Sequence, residues 1–189
     1  MRESEKMAIR RRQILKYGAF GALALAAGGI TLALQPSKIV DPPDALKCLS
    51  KQEYSILFAI AETLLPSTPP FPAASTLQIA YRVDGVLARA HPGVQKEIRQ
   101  VLALIENAAA ATLFDGHPRP FTRSLPATQT HIINSWRNSS LHIRRTAFKA
   151  ISGLCNGVYY ATQDNYGLVG YDGPPAHLLA LIESLQETP

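Results

Sequence analysis

From residue 50 onward the apolar residues recur every three to four positions, and no segment alternates with the period of two that a half-buried strand requires. That regularity restricts the chain to an all-α fold. Ser50 and Glu53 have capping-box spacing, with Leu49 and Tyr54 placed as a hydrophobic staple, so the first helix starts there. Leu57, Ile60, Ala61, Leu64 and Leu65 form its buried face, and Pro66 stops it. A second helix is predicted over Ser75–Ala90, with Ile79, Val83, Val86, Leu87 and Ala90 inward and Gly85 weakening its middle. Pro92 opens a third, whose stripe of Val94, Ile98, Val101, Leu102, Ile105 and Ala109 runs to about Leu113. A fourth covers Ala127–Asn138 with Ile132, Ile133 and Trp136 inward, and a fifth covers Leu141–Ala161 through Ala147, Ile151, Leu154, Cys155 and Val158. After a Tyr- and Gly-rich loop, Leu178, Leu181, Ile182 and Leu185 mark a short last helix. The expectation is an irregular bundle of about six helices with long Pro/Gly-rich loops.

The charge is distributed unevenly. The chain of 189 residues carries a formal +5, yet residues 1–16 alone hold six cations against two carboxylates. Residues 36–189 hold thirteen against twelve, which removes nucleic acid as a partner, since counterion release needs a basic face in the folded part. An uncharged, Ala/Leu/Gly-rich run from Tyr17 to Leu34 follows the basic stretch, in the order of an export signal. Arg11 and Arg12, followed by Ile14, Leu15 and Lys16, resemble the twin-arginine pattern. No small-x-small cleavage site stands clearly before Pro36, so an uncleaved segment tethered to the inner membrane remains one reading beside release into the periplasm. The domains read as a leader over 1–35, a linker over 36–48 around Asp41-Pro42-Pro43, and a helical domain over 49–189.

Twin-arginine export carries folded proteins, usually redox enzymes loaded with cofactor, yet this chain has no CxxCH, no CxxC and no Walker A loop. Gly167, Gly170 and Gly173 have the wrong spacing and context for a dinucleotide fingerprint. The five histidines lack paired metal-ligand spacing, no serine sits in GxSxG, and the carboxylates assemble no acid-base pair. Glu53 reads as a cap, Glu106 as a solvated face, and Glu62 as a solvated or arginine-paired carboxylate. The expectation is therefore no catalytic, cofactor or metal site in this chain, and a partner exported with it. Cys48 and Cys155 suit an oxidising compartment, with an internal bridge, a bridge to a partner and a buried free thiol all open. Trp136, Tyr166, Tyr171, Gly173 and Pro174 are candidates for the partner interface, because rigid aromatics with backbone freedom suit one. The alternative is a loop and a tryptophan packed on their own bundle, and Arg144-Arg145 reads either as a solvated face or as a site for a partner's acids.

Taken together, the leader, Leu49-Ser50-Lys51-Gln52-Glu53 running on to Ala59-Ile60-Ala61-Glu62-Thr63-Leu64-Leu65-Pro66, Trp136-Arg137-Asn138-Ser139 and Gly170-Tyr171-Asp172-Gly173-Pro174-Pro175 resemble the gluconate 2-dehydrogenase subunit 3 family. The resemblance implies a helical, cofactor-free small subunit. Its partner would be a large FAD-containing dehydrogenase subunit of the glucose-methanol-choline class acting on CH-OH groups of sugars or alcohols, often with a cytochrome c subunit carrying haem. It implies that this chain supplies the export signal to the twin-arginine translocase and stabilises the flavoprotein. An export-linked assembly factor that later leaves is the competing expectation.

Overall fold

The computed structural model describes residues 37–65, 67–108, 116, 118–175 and 178. Within them the fold is all-α: α1 (Lys51–Leu64), α2 (Ile79–Ala88), α3 (Pro92–Glu106), α4 (Pro126–Arg137) and α5 (His142–Tyr160). Three short 3-10 turns, Phe121–Arg123, Gln163–Asn165 and Gly167–Val169, complete the described elements. Apart from Leu178, which is helical, the expected last helix lies outside the described residues, as do residues 109–113 of the expected third helix.

Helix α1 is the centre of the bundle and packs against each of the other four. Its N-terminus is closed by the expected capping box: the Ser50 N–H donates to Glu53 Oε2 at 2.8 Å, and the Glu53 N–H donates to Ser50 Oγ at 3.2 Å. Leu49 and Tyr54 are both buried beside it. Leu57 and Ile60 are fully buried, while Leu64 only packs at the core's edge. The Leu65 N–H closes the last turn on the Ala61 carbonyl, and the proline that follows has no N–H with which to continue.

Helix α2 starts four residues later than its periodicity predicts. Ser75 donates its N–H to the Glu62 carboxylate at 2.5 Å, and Gln78 adopts a left-handed φ of 52°, so the chain turns before the helix begins. A side-chain acceptor therefore overrides the local helix preference. Glu62 is exposed, as its solvated reading expects, and also accepts this backbone N–H. Val86 and Val94, expected inward on α2 and α3, are about half exposed at 47% and 46%. Helix α3 begins at Pro92, with His91 Nδ1 accepting from the Gly93 N–H at 3.1 Å. It presents Ile98, Leu102 and Ile105 to the core.

Helices α4 and α5 are joined by a short turn. Arg145 Nη1 donates to the Ser139 and Ser140 carbonyls at 2.5 and 2.9 Å, and Arg144 Nη2 donates to Ser135 Oγ at 3.0 Å. Ala147, Ile151, Cys155 and Tyr159 make the buried stripe of α5, with Leu154 and Val158 at its margin. Tyr159 is fully buried, and its hydroxyl donates to the Pro72 carbonyl at 2.7 Å, fastening the proline-rich loop after α1 onto α5. Burial, with the neighbouring Tyr160 adding to it, raises the Tyr159 phenol above its ordinary range.

Candidate partner-binding surface

The two buried carboxylates among the described residues serve the backbone. Asp84, on α2, is fully buried and accepts three N–H groups from the segment leading into α1: Lys47 at 2.6 Å, Cys48 at 3.0 Å and Leu49 at 2.7 Å. Arg99 Nη2 binds the Cys48 carbonyl in the same segment at 2.6 Å, and its Nε lies 3.9 Å from Glu53 Oε1. A carboxylate holding successive N–H groups is a strong, charge-assisted clamp. Glu106, expected on a solvated face, is instead 7% exposed. It takes the Thr122 N–H at 2.9 Å and the Thr122 hydroxyl at 2.6 Å, fixing the 3-10 turn onto the end of α3. Asp84 and Glu106 lie on the apolar stripes of their helices, beside Val83 and Ile105, and that misplacement of a charge was the available sequence signal for both.

The stretch 37–48 has no regular secondary structure and is nevertheless fastened down. Val40 donates its N–H to Ser55 Oγ at 2.9 Å, and Lys51 pairs with Asp41.

Cys48 and Cys155 are both free thiols in this structure, the first half-buried and the second buried. Cys155 belongs to the α5 core stripe, where burial pushes its thiol up to about 12. Cys48 sits in the Asp84 clamp, with its Sγ 3.5 Å from Arg99 Nη2.

Trp136, expected to meet a partner, is 4% exposed and belongs to the core, with the Arg144 guanidinium 4.9 Å from its ring centroid. Arg144 is likewise buried rather than on a solvated face. The other interface candidates share one structure at the end of α5. Tyr166 and Tyr171 meet edge to face at 4.9 Å, the Tyr171 N–H donates to the Tyr166 carbonyl at 2.9 Å, and the Tyr166 hydroxyl donates to the Ala161 carbonyl at 3.1 Å. Fully buried Asn165 ties the turn to the Tyr159 carbonyl at 2.7 Å. Gly170 and Gly173 have φ of 68° and 94°, a region costly for other residues. A Cβ at Gly173 would also lie 3.5 Å from the Tyr166 ring. Pro174 is half-buried beside it.

This ordered turn leaves Leu168, Val169 and Tyr171 at 37%, 44% and 46% exposure, with Tyr160 of α5 at 40%. Two tyrosines and two aliphatic side chains around one turn give a partly exposed apolar surface of the kind a partner can cover. Residues Arg11, Arg12, Ile14, Leu15 and Lys16 lie outside the described residues, as does the uncharged run after them. Among the described residues, no helix is long and apolar enough to cross a membrane, and no three metal-ligating side chains converge.

Fold and surface thus define a helical chain whose buried carboxylates hold backbone in place and which exposes apolar groups on the turn after α5. The family model for gluconate 2-dehydrogenase subunit 3 matches residues 51–173, and the chain belongs to that family. No curated protein and no solved structure matches it.

Proposed function

We propose that this chain is the non-catalytic small subunit of a periplasmic FAD-dependent dehydrogenase complex of the glucose-methanol-choline class. The observation that carries this reading is the family match over residues 51–173, a span that ends in the Tyr166–Gly173 turn. The flavin resides in the large subunit, and haem c in a third subunit where one is present. The twin-arginine leader carries the folded pair through the translocase, and the exposed apolar turn gives the flavoprotein an adhesive face. The complex acts at the periplasmic side of the inner membrane, held there by its partners or by an uncleaved leader.

Replacing Arg11 and Arg12 with lysine in cells that make both proteins tests the export role. The flavoprotein should then remain in the cytoplasm; its continued appearance in the periplasm would sink that role. Purification from periplasm separates a permanent subunit from a departing assembly factor, since only the subunit stays with the flavoprotein at fixed stoichiometry.

A further inference from the structure

The Tyr166–Gly173 turn is apolar, but a second surface of different chemistry lies where the 37–40 segment meets the 3-10 turn after α3. An open groove of about 770 Å³ is lined there by Lys38, Ile39, Arg119, Thr122, Arg123 and Leu125, among others. Lys38, Arg119 and Arg123 are all exposed, and no carboxylate lines the groove among the described residues. Ile39 and Leu125 stand 49% and 70% exposed in the same groove.

Its walls are fixed in advance. The Lys38 N–H donates to Thr122 Oγ1 at 2.9 Å, that hydroxyl donates to buried Glu106, and Gln52 Nε2 donates to Ser37 Oγ at 3.0 Å. A partner entering it therefore meets little ordering cost on this side.

We propose that this groove docks an extended segment of the flavoprotein subunit that carries carboxylates next to aliphatic side chains, an inference that rests on the subunit reading above. Charge selects this occupant. Three cations without a lining acid attract a carboxylate-bearing segment, and Ile39 and Leu125 give its aliphatic groups a dry contact. The chain's own leader, with six cations against two carboxylates over residues 1–16, has the wrong sign.

The test uses the full-length chain purified as its complex with the flavoprotein, following dissociation at rising NaCl. Arg119→Glu with Arg123→Glu should weaken the complex about tenfold or more near 50 mM salt, and should flatten the salt dependence that the wild type shows. Leu125→Ser removes the apolar contact and supplies a capping hydroxyl to α4, whose N-cap residue makes no side-chain bond, so folding is retained while affinity falls. A helical melt of each variant matching the wild type excludes misfolding. Acetylation of Lys38 should be blocked in the complex and open in the free chain.

Wild-type association with unaltered affinity and salt slope in all variants overturns the groove alone. Failure of the wild type to associate removes the subunit reading, and this proposal with it. Lys38 blocked in the free chain but freed by truncation after Pro175 assigns the groove to the chain's own C-terminus and overturns the proposal. Variants that lose binding to phosphatidylglycerol vesicles, but not to the flavoprotein, overturn it in favour of a lipid surface.

Discussion

The entrance to α1 and the exit from α5 are both irregular segments bound to the same bundle, and they are held by opposite chemistry. The entrance is clamped by a buried carboxylate: Asp84 takes three consecutive N–H groups from Lys47, Cys48 and Leu49. The exit is held by an aromatic pair, glycines at positive φ and neutral hydrogen bonds, and its apolar groups face outward. Charge clamps are strong but rigid, and they leave nothing over for a partner. The aromatic turn is weaker and leaves contact area unspent.

The sharpest way to break the contrast is at the clamp. Asp84→Ala orphans three N–H groups, that of Leu49 buried and those of Lys47 and Cys48 partly so, and should cost about 3 kcal/mol, read as a lower urea midpoint. Retention of wild-type stability would mean that the clamp contributes nothing. Glu106→Ala frees the Thr122 turn and should cost about 2 kcal/mol. Thr122→Val keeps the shape and should cost less, so a melt series in which it loses more stability than Glu106→Ala would reverse the assignment. Ser50→Ala removes one half of the capping box and should cost about 1 kcal/mol by the same melt.

At the exit, Leu168→Ser together with Val169→Ser should move stability by less than about 0.5 kcal/mol, because both side chains are already partly in water. The same pair should measurably weaken retention of the flavoprotein. The smallest effect concerns Cys155. Burial raises its thiol from 9.0 to about 12 in the folded chain, so the stability it contributes is present in full below pH 9 and lost as pH climbs toward 12. Stability should therefore be independent of this group between pH 6 and 8, and alkylation at pH 8 should reach Cys48 well before Cys155. Equal labelling of the two would show that α5 opens readily.

The apolar spacing revealed the helices because a buried face must repeat with the helical turn, and the capping box at Ser50 and Glu53 was legible because both its bonds are local. What spacing cannot reveal is an acceptor supplied from a distance. Glu62 delayed the start of α2 by capturing Ser75, and Asp84 reaches back 35 residues to Leu49. The Tyr166–Gly173 turn stood out by its tyrosines and glycines, and Trp136, spaced i+3 and i+4 from Ile133 and Ile132, was legible as part of the inward stripe of α4 although its residue type also suited an interface. Its burial follows from packing between α4 and the rest of the bundle. The cationic groove escaped the sequence entirely, since Lys38 lies 81 residues from Arg119 and the Lys38 N–H bond to the Thr122 hydroxyl is what joins their segments at this point.

The central position of α1 has a consequence in time. Its neighbours include α5, whose buried stripe begins at Ala147 and ends at Tyr159. A growing chain thus makes α1 before the wall that α5 supplies roughly a hundred residues later, and until then Leu57 and Ile60 lack part of their cover. Closure of this core waits for the synthesis of α5, and a nascent chain that has not reached Tyr159 presents the apolar face of α1 to whatever binds exposed helices in the cell.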